Sequence, residues 1–471
     1  MIIMDTIKLI KWSALIILAS IIYFFPPPEG LTSATMHILA IYLAAIIGII
    51  IRPAGESEVL VIVAGIGSVF VGPAPVLNGF ATTTVWLVFI AFLIGMAFIQ
   101  TGIGKRVSYI LIGRFGKSSM ALGYIMALVD LLISPATPSN TARSGGVIYP
   151  IFQSISTTLG SEPNSGRKKI GAYFTMLQGL ISFTTAGIFI TACAPNLITV
   201  DFAKKVMGVD ITWGNWALAM IVPGVIILLL TPLFLYKIYR PEIKGIDNFK
   251  ELARKGVDEL GPMKLNEKVL LILFILAVLG WAFGSTLKLN STAVALAFFA
   301  LALLFNLFSI KDVLHNKGAW NTFLWYGIIC GLSASLAKEK FFVWLAKWMQ
   351  SSIPVESIDM IFILGIIIFV CIAMRYLFAS MAAFVTAFVP VAFTIGVAGN
   401  ISPYVLAYMV AACTAYGCSL THYGGALGPI LYGTGYVTQK EWWQIGFAYT
   451  LLNVLVYFTI GLSYWKFIGL W

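Results

Sequence analysis

Long apolar runs joined by short polar segments dominate the chain. They fall near residues 13–28, 34–51, 59–77, 83–102, 119–158, 170–200, 216–236, 269–285, 291–309, 320–337, 357–398, 403–435 and 443–465. A helix needs about 20 apolar residues to cross a bilayer, and most runs are near that length. Two are about twice as long and are broken near the middle. The first breaks at Ser134-Pro135-Ala136-Thr137-Pro138-Ser139-Asn140-Thr141-Ala142-Arg143-Ser144-Gly145-Gly146, the second between Arg375 and Ser380. The apolar flanks of the first break, Ala121 to Ile133 and Val147 to Ile155, are each too short to cross alone. Both broken tracts, 119–158 and 357–398, are therefore predicted to be re-entrant hairpins. Non-helical backbone at membrane depth is tolerated only where protein or a water-filled cavity satisfies it. The first tip is thus expected to line a cavity, with Arg143 facing it. The pattern as a whole predicts an all-α polytopic membrane protein with about eleven full spans and two hairpins.

The polar segment 237–268 divides the chain almost in half, and the halves read alike. Each has three spans, a short cationic amphipathic piece (Gly104 to Ser118, then Lys338 to Ser352), a broken tract, a span with a polar interruption and a last span. An odd number of spans between the halves turns them opposite ways in the membrane. Such inverted repeats put a substrate site at the midplane, between discontinuous helices. The expected division is a first span in 1–33, a first repeat in 34–239, a cytoplasmic linker in 240–268 and a second repeat in 269–471.

Composition sharpens this picture. The 471 residues are 60% hydrophobic and 10% charged, and the net charge is +11. That charge does not point to nucleic acid, because the basic residues are scattered through short loops. With the N-terminus cytoplasmic, most of the 30 lysines and arginines fall on the cytoplasmic side, as the positive-inside rule requires. This orients a multi-pass cell-membrane protein with its N-terminus inside and C-terminus outside. No cleavage site follows Met1 to Lys11, which reads as the start of a retained first span. The five cysteines sit in apolar segments without a CxxC pair, so no metal, cofactor or disulfide framework is expected. No HExxH, GxSxG or P-loop is present, which leaves an enzyme or an ATP-driven pump without support.

Candidate chemistry concentrates at the breaks. Ser139, Asn140 and Thr141 offer hydroxyl and amide groups at the start of a half-helix, whose free N–H groups and positive dipole end suit a carboxylate. An ordinary N-cap is the plainer reading. Arg143 costs at least ~2.5 kcal/mol at the bilayer centre unless paired or hydrated. It either reaches the substrate or pairs with Asp130, the one clear acid in the membrane tracts, and the two roles are compatible. In the sixth run, Pro195 and Asn196 interrupt an apolar helix, as a kink or as a donor–acceptor site. The matching interruption in the second half holds Thr421, His422 and Gly424. A histidine there would make transport pH-sensitive between about pH 5 and 8. Arg375 precedes the second tip, Ser380-Met381-Ala382, and binds substrate, pairs with hairpin backbone or snorkels outward. The tryptophans Trp12, Trp213, Trp216, Trp442, Trp443, Trp465 and Trp471 lie mostly at span ends and read as interface anchors.

These motifs together resemble the divalent anion/sodium symporter family of carboxylate transporters, over nearly the whole chain. Ser139-Asn140-Thr141-Ala142-Arg143, Ala194-Pro195-Asn196 and Thr421-His422-Tyr423-Gly424 are similar to its exchanger branch. That branch holds bacterial citrate/succinate and tartrate/succinate antiporters and plastid 2-oxoglutarate/malate translocators. The resemblance implies an elevator-type homodimer that exchanges di- or tricarboxylates (2-oxoglutarate, malate, succinate, fumarate, citrate class). Ser139, Asn140, Thr141, Arg143, Asn196, Ser380, Thr421 and His422 would bind substrate, with Asp130, Pro195, Arg375, Met381, Ala382 and Gly424 in support. Sodium-coupled members carry Ser-Asn-Thr at both tips. Here Met381 and Ala382 remove oxygen ligands that a hard cation needs, which points to sodium-independent antiport, with Arg143 and, if it is protonated, His422 as fixed balancing charge. A sodium- or proton-coupled symporter is the alternative, and an anion channel a more distant one.

Overall fold

A computed structural model describes residues 6–352 and 359–471. The first five residues and the expected start of the second broken tract, at 357, lie outside them. Among the described residues the fold is all-helical, apart from isolated bridges such as Ser118 with Gly245. Nine helices among them are long and apolar enough to cross a membrane. One arm of each broken tract is in this set (Ser119–Ala136 and Met381–Ala398). Gly171–Ile188 and Lys317–Lys338 are not, because polar residues dilute them.

The element order repeats. Ser33–Ile51, Glu56–Val71 and Thr83–Thr101 precede the amphipathic helix Ile103–Phe115. Then come the first broken tract, the interrupted helix pair Gly171–Ile188 and Ala194–Met207, and the last helix, Trp213–Ile238. In the second half Leu265–Ala282, Ser291–Leu304 and Lys317–Lys338 precede Phe341–Ser352. Met360–Arg375 and Met381–Ala398, then Pro403–Tyr416 and Leu427–Gly433, and finally Gln439–Val456 complete the copy.

Both broken tracts double back. The incoming helix Ser119–Ile133 ends in a 3-10 turn at Ser134–Ala136, and the chain resumes as a π-helix, Thr141–Ile148, that runs into Tyr149–Thr158. Arg143 and Ser144, beyond the tip, bond to Asp130 before it, so the two arms lie side by side. In the second tract Arg375 lies over the Phe384 ring at 4.9 Å, which closes that loop in the same way.

The linker is more ordered than its polarity suggested. It holds the helix Phe249–Leu260, which packs on Ile103–Phe115. A β-carbon on Gly113 would lie 3.1 Å from Ala253 Cβ. Arg106 clamps the far end, donating from Nε to Glu267 at 2.5 Å and from Nη2 to the other carboxylate oxygen at 3.0 Å. A fork-to-fork arginine–carboxylate pair fixes orientation as well as distance. The linker is thereby tied to one amphipathic arm.

Candidate anion-binding site

Each tip is held by the helix break of its own half. In the first half, Ala194 N–H donates to Pro138 C=O at 3.0 Å and Thr191 Oγ1 to Pro135 C=O at 2.7 Å. The break itself falls at Phe189–Cys193, upstream of the proline. Pro195 therefore starts the following helix, where its missing N–H costs nothing, and does not kink a continuous one as expected. Asn196 is buried and spends its amide donors on Ala186 C=O at 2.6 Å and Phe189 C=O at 3.1 Å. It closes the end of the preceding half-helix.

At the first tip Ser139 Oγ accepts from Ala142 N–H at 3.2 Å, capping the half-helix. The side chains of Asn140 and Thr141 make no hydrogen bond among the described residues, and Ser139 and Thr141 are partly exposed. The second tip repeats the cap, with Ser380 Oγ accepting from Ala383 N–H at 3.3 Å. Past it the chemistry changes. Met381 is buried with its sulfur 3.6 Å from Cys193 Sγ of the first break. Here the two halves meet at the tips. They meet again where a β-carbon on Gly145 would sit 3.2 Å from Leu427.

Arg143 does not face a cavity, which corrects the expectation drawn from its position. It is 0% exposed. Its Nε donates to Asp130 at 2.9 Å, Nη1 to Thr137 C=O at 2.8 Å and Ala192 C=O at 3.0 Å, and Nη2 to Thr185 Oγ1 at 3.2 Å. Asp130 in turn collects Ser144 Oγ at 2.6 Å, Gln178 Nε2 at 2.8 Å and Thr185 Oγ1 at 2.5 Å. Asp130 thus forms an ion pair with the guanidinium and accepts from three further donors. Arg143 ties the tip to its break from behind.

Arg375 is the opposite case. It is 1% exposed, and Nη2 donates to Gly424 C=O and, at 2.9 Å, to Cys418 Sγ. Its Nε and Nη1 have no hydrogen-bond partner among the described residues. Thr421 Oγ1, on the same loop, is also buried without one. Gly424 must be glycine, since a β-carbon would lie 2.5 Å from Cys418 C=O.

His422 is partly exposed, and its Nδ1 lies 3.2 Å from Trp443 Nε1. An indole N–H only donates, so Nδ1 carries a lone pair. A neutral imidazole in this pose carries its proton on Nε2.

The tryptophans are the largest departure from expectation. Trp213, Trp216, Trp442 and Trp465 are buried, not interface anchors. Trp213 Nε1 donates to Thr191 Oγ1 at 3.1 Å and Trp216 Nε1 to Gly187 C=O at 3.0 Å, both at the first break. Trp442 Nε1 donates to Ser419 C=O at 3.1 Å, at the second. The last helix of each half thus begins with a tryptophan pair that braces that half's break. The signal was readable as the pair Trp213/Trp216 and the pair Trp442/Trp443 at matching places in the repeat.

Two hairpins meeting two interrupted helices, among helices long and apolar enough to cross a membrane, have the architecture of a membrane carrier. Residues 6–471 match the family described as "Sodium:sulfate symporter transmembrane region", and the chain belongs to this family of divalent anion/sodium symporters. It is 42% identical to the inner membrane protein YbhI of Escherichia coli, over 98% of both chains. It is 36% identical to the putative malate transporter YflS of Bacillus subtilis, over 99% of this chain and 98% of that one. It is 30% identical to an L-tartrate/succinate antiporter of Shigella sonnei, over 96% and 97%. Among solved structures, the MtrF efflux pump of Neisseria gonorrhoeae shares the fold, with a TM-score of 0.60 at 13% identity over 95% of this chain and 97% of that one.

Proposed function

We propose that the chain exchanges di- and tricarboxylates of the malate, succinate, fumarate, 2-oxoglutarate and citrate class, without sodium. The relatives named for malate transport and tartrate/succinate antiport support the substrate class. The observation that carries the coupling is the sulfur contact between Met381 and Cys193 at the second tip. A hard cation wants oxygen ligands, and thioether and thiol are soft. The charge that balances a dianion in the low-dielectric site then belongs to the protein. An empty carrier would move that charge unmatched, so the loaded carrier moves more readily, which is exchange.

In this reading the hairpins and interrupted helices form a body that slides as an elevator against a scaffold, and the scaffold dimerises. Ile103–Phe115 and Phe341–Ser352 are the linking arms. The basic residues orient the N-terminus to the cytoplasm and the C-terminus outside. Ser139, Asn140 and Thr141 receive one carboxylate, with Ser380, Thr421 and the Nε2–H of His422 opposite. Asn196 shapes the first break. The intact Ser139-Asn140-Thr141 tip favours a second reading, a symporter that keeps one sodium site.

Proteoliposomes separate the two. Labelled succinate, malate, citrate or 2-oxoglutarate enters only vesicles preloaded with carboxylate if exchange is correct. Uptake into carboxylate-free vesicles driven by a sodium gradient sinks it. A counterflow panel over the same compounds identifies the exchanged pair.

A further inference from the structure

We infer that Arg375, not Arg143, recognises the second carboxylate of a dianionic substrate and is the specificity residue for two charges over one. The inference rests on the carboxylate reading above.

Both arginines are fully buried in membrane tracts, where an ionisable group needs a partner or a function. Arg143 has its partner in Asp130. Arg375 has none: no carboxylate lies within ion-pair distance of it among the described residues, and its charge meets only neutral groups there, the face of Phe384, the Gly424 carbonyl and Cys418 Sγ. Such a ring relieves a cation only in part. Two of its three nitrogens are unpartnered among the described residues, which leaves three N–H groups without acceptors there.

The surroundings are built to receive one. Gly424 lies between Arg375, which bonds its carbonyl, and Thr421, whose unpartnered Oγ1 would lie 3.1 Å from a β-carbon there. The backbone is pinned by Tyr423 OH, which donates to Tyr376 C=O at 3.2 Å. Arg375 is thus flanked by residues that are open: Tyr376 beside it, Ser380 at the tip, and His422 and Tyr423 on the facing loop are partly exposed. An anion approaching these groups meets unmatched positive charge and a free hydroxyl. A carboxylate supplies the acceptor oxygens that both lack. The first tip holds one carboxylate with neutral donors; the second carboxylate of the same molecule is the acceptor Arg375 requires.

The test compares succinate with succinamate, its monoamide, as substrates of the unaltered protein and of Arg375→Gln in proteoliposomes. Loss of a charged hydrogen bond raises the half-saturation concentration for succinate about tenfold or more in Arg375→Gln, while that for succinamate stays put. Arg375→Lys restores part of the preference because it restores the charge. A purely structural role would weaken both substrates alike. An unchanged preference in Arg375→Gln, or an equal loss for both compounds, overturns the inference and leaves carboxylate exchange standing. If Arg375→Gln does not fold, Arg375→Lys decides: its Nζ cannot reproduce the guanidinium, so an undiminished preference there overturns the inference as well. In the unaltered protein, equal half-saturation by succinate and succinamate also overturns it. Absence of any carboxylate movement by the unaltered protein is a different result and removes the reading beneath it.

Discussion

The two hairpins are copies of one device with their arginines used in opposite ways. Arg143 sits after its tip, locked to Asp130, Thr185 and two backbone carbonyls. Arg375 sits before its tip, with one nitrogen bonded to protein and two free. The first charge is cancelled and serves architecture; the second is left open. The tips themselves divide the other way. The first keeps amide and hydroxyl side chains at Asn140 and Thr141 that are unpartnered among the described residues, whereas the second buries Met381 against Cys193. Neutral polar side chains thus lie at one tip and a buried cation without an acidic partner among the described residues beside the other. Intramembrane charge has to be read together with its partner: the residue type alone does not distinguish a brace from a ligand.

The largest effect that would sharpen this contrast is on stability. Arg143→Ala strands Asp130 in a dry site, and breaking a buried pair costs about 3–5 kcal/mol. Thermal unfolding of the purified protein should show that loss together with loss of exchange. The double variant Asp130→Leu with Arg143→Met should regain most of the stability, since apolar replacements of a whole pair are often neutral. Equal instability of single and double variants would mean that the two residues do not act as a unit. Arg375→Met removes an uncompensated charge, so its unfolding temperature should match or exceed that of the unaltered protein while exchange is lost. A loss of stability as large as that of Arg143→Ala would erase the distinction between the two arginines.

Smaller effects follow at the braces. Trp442→Phe leaves the Ser419 carbonyl without its donor, at about 1–3 kcal/mol. Gly446 brings the same helix against that carbonyl, with a β-carbon position only 2.0 Å away, so the helix has no room to slide and compensate. Trp216→Phe should cost a similar amount at the first break, and both are read by thermal unfolding. Unequal losses would show that the breaks are braced differently.

At the second tip, Met381→Asn with Ala382→Thr rebuilds the sequence of the first. Sodium should then stimulate uptake in proteoliposomes; no response would mean that the tip residues do not set the coupling. The smallest effect concerns His422. Trp443 holds Nδ1 as an acceptor, which disfavours the imidazolium. Exchange should be flat across neutral pH and fall only on acidification. Trp443→Phe should move that fall to higher pH, because protonation then no longer breaks a bond. An unshifted profile would detach His422 from the pH response.

Much of this was legible in the chain. Long apolar runs with polar breaks in their middles foretold both hairpins, because non-helical backbone in a membrane needs protein or a cavity to satisfy it. The repeat was visible because both halves carry the same order of spans, arms and breaks. The linker helix Phe249–Leu260 was not predicted because its mixed charges carry no apolar run; its apolar side emerges only against Tyr109 and Gly113. The tryptophans were misread because a span end in sequence is not an exposed end in space.

Sequence alone determined the class of protein, its twofold plan and where the helices break, since hydropathy and helix breaking are local properties. Tertiary structure decided how those residues are used. Asp130 precedes Arg143 by thirteen positions, and Thr185 and Ala192 lie on another helix and its break. Only packing brings them around one guanidinium and leaves the other without an acid. The sign of a residue's charge is written in its side chain, but whether that charge is spent or free depends on which carboxylates and carbonyls the fold places within about 3 Å of it.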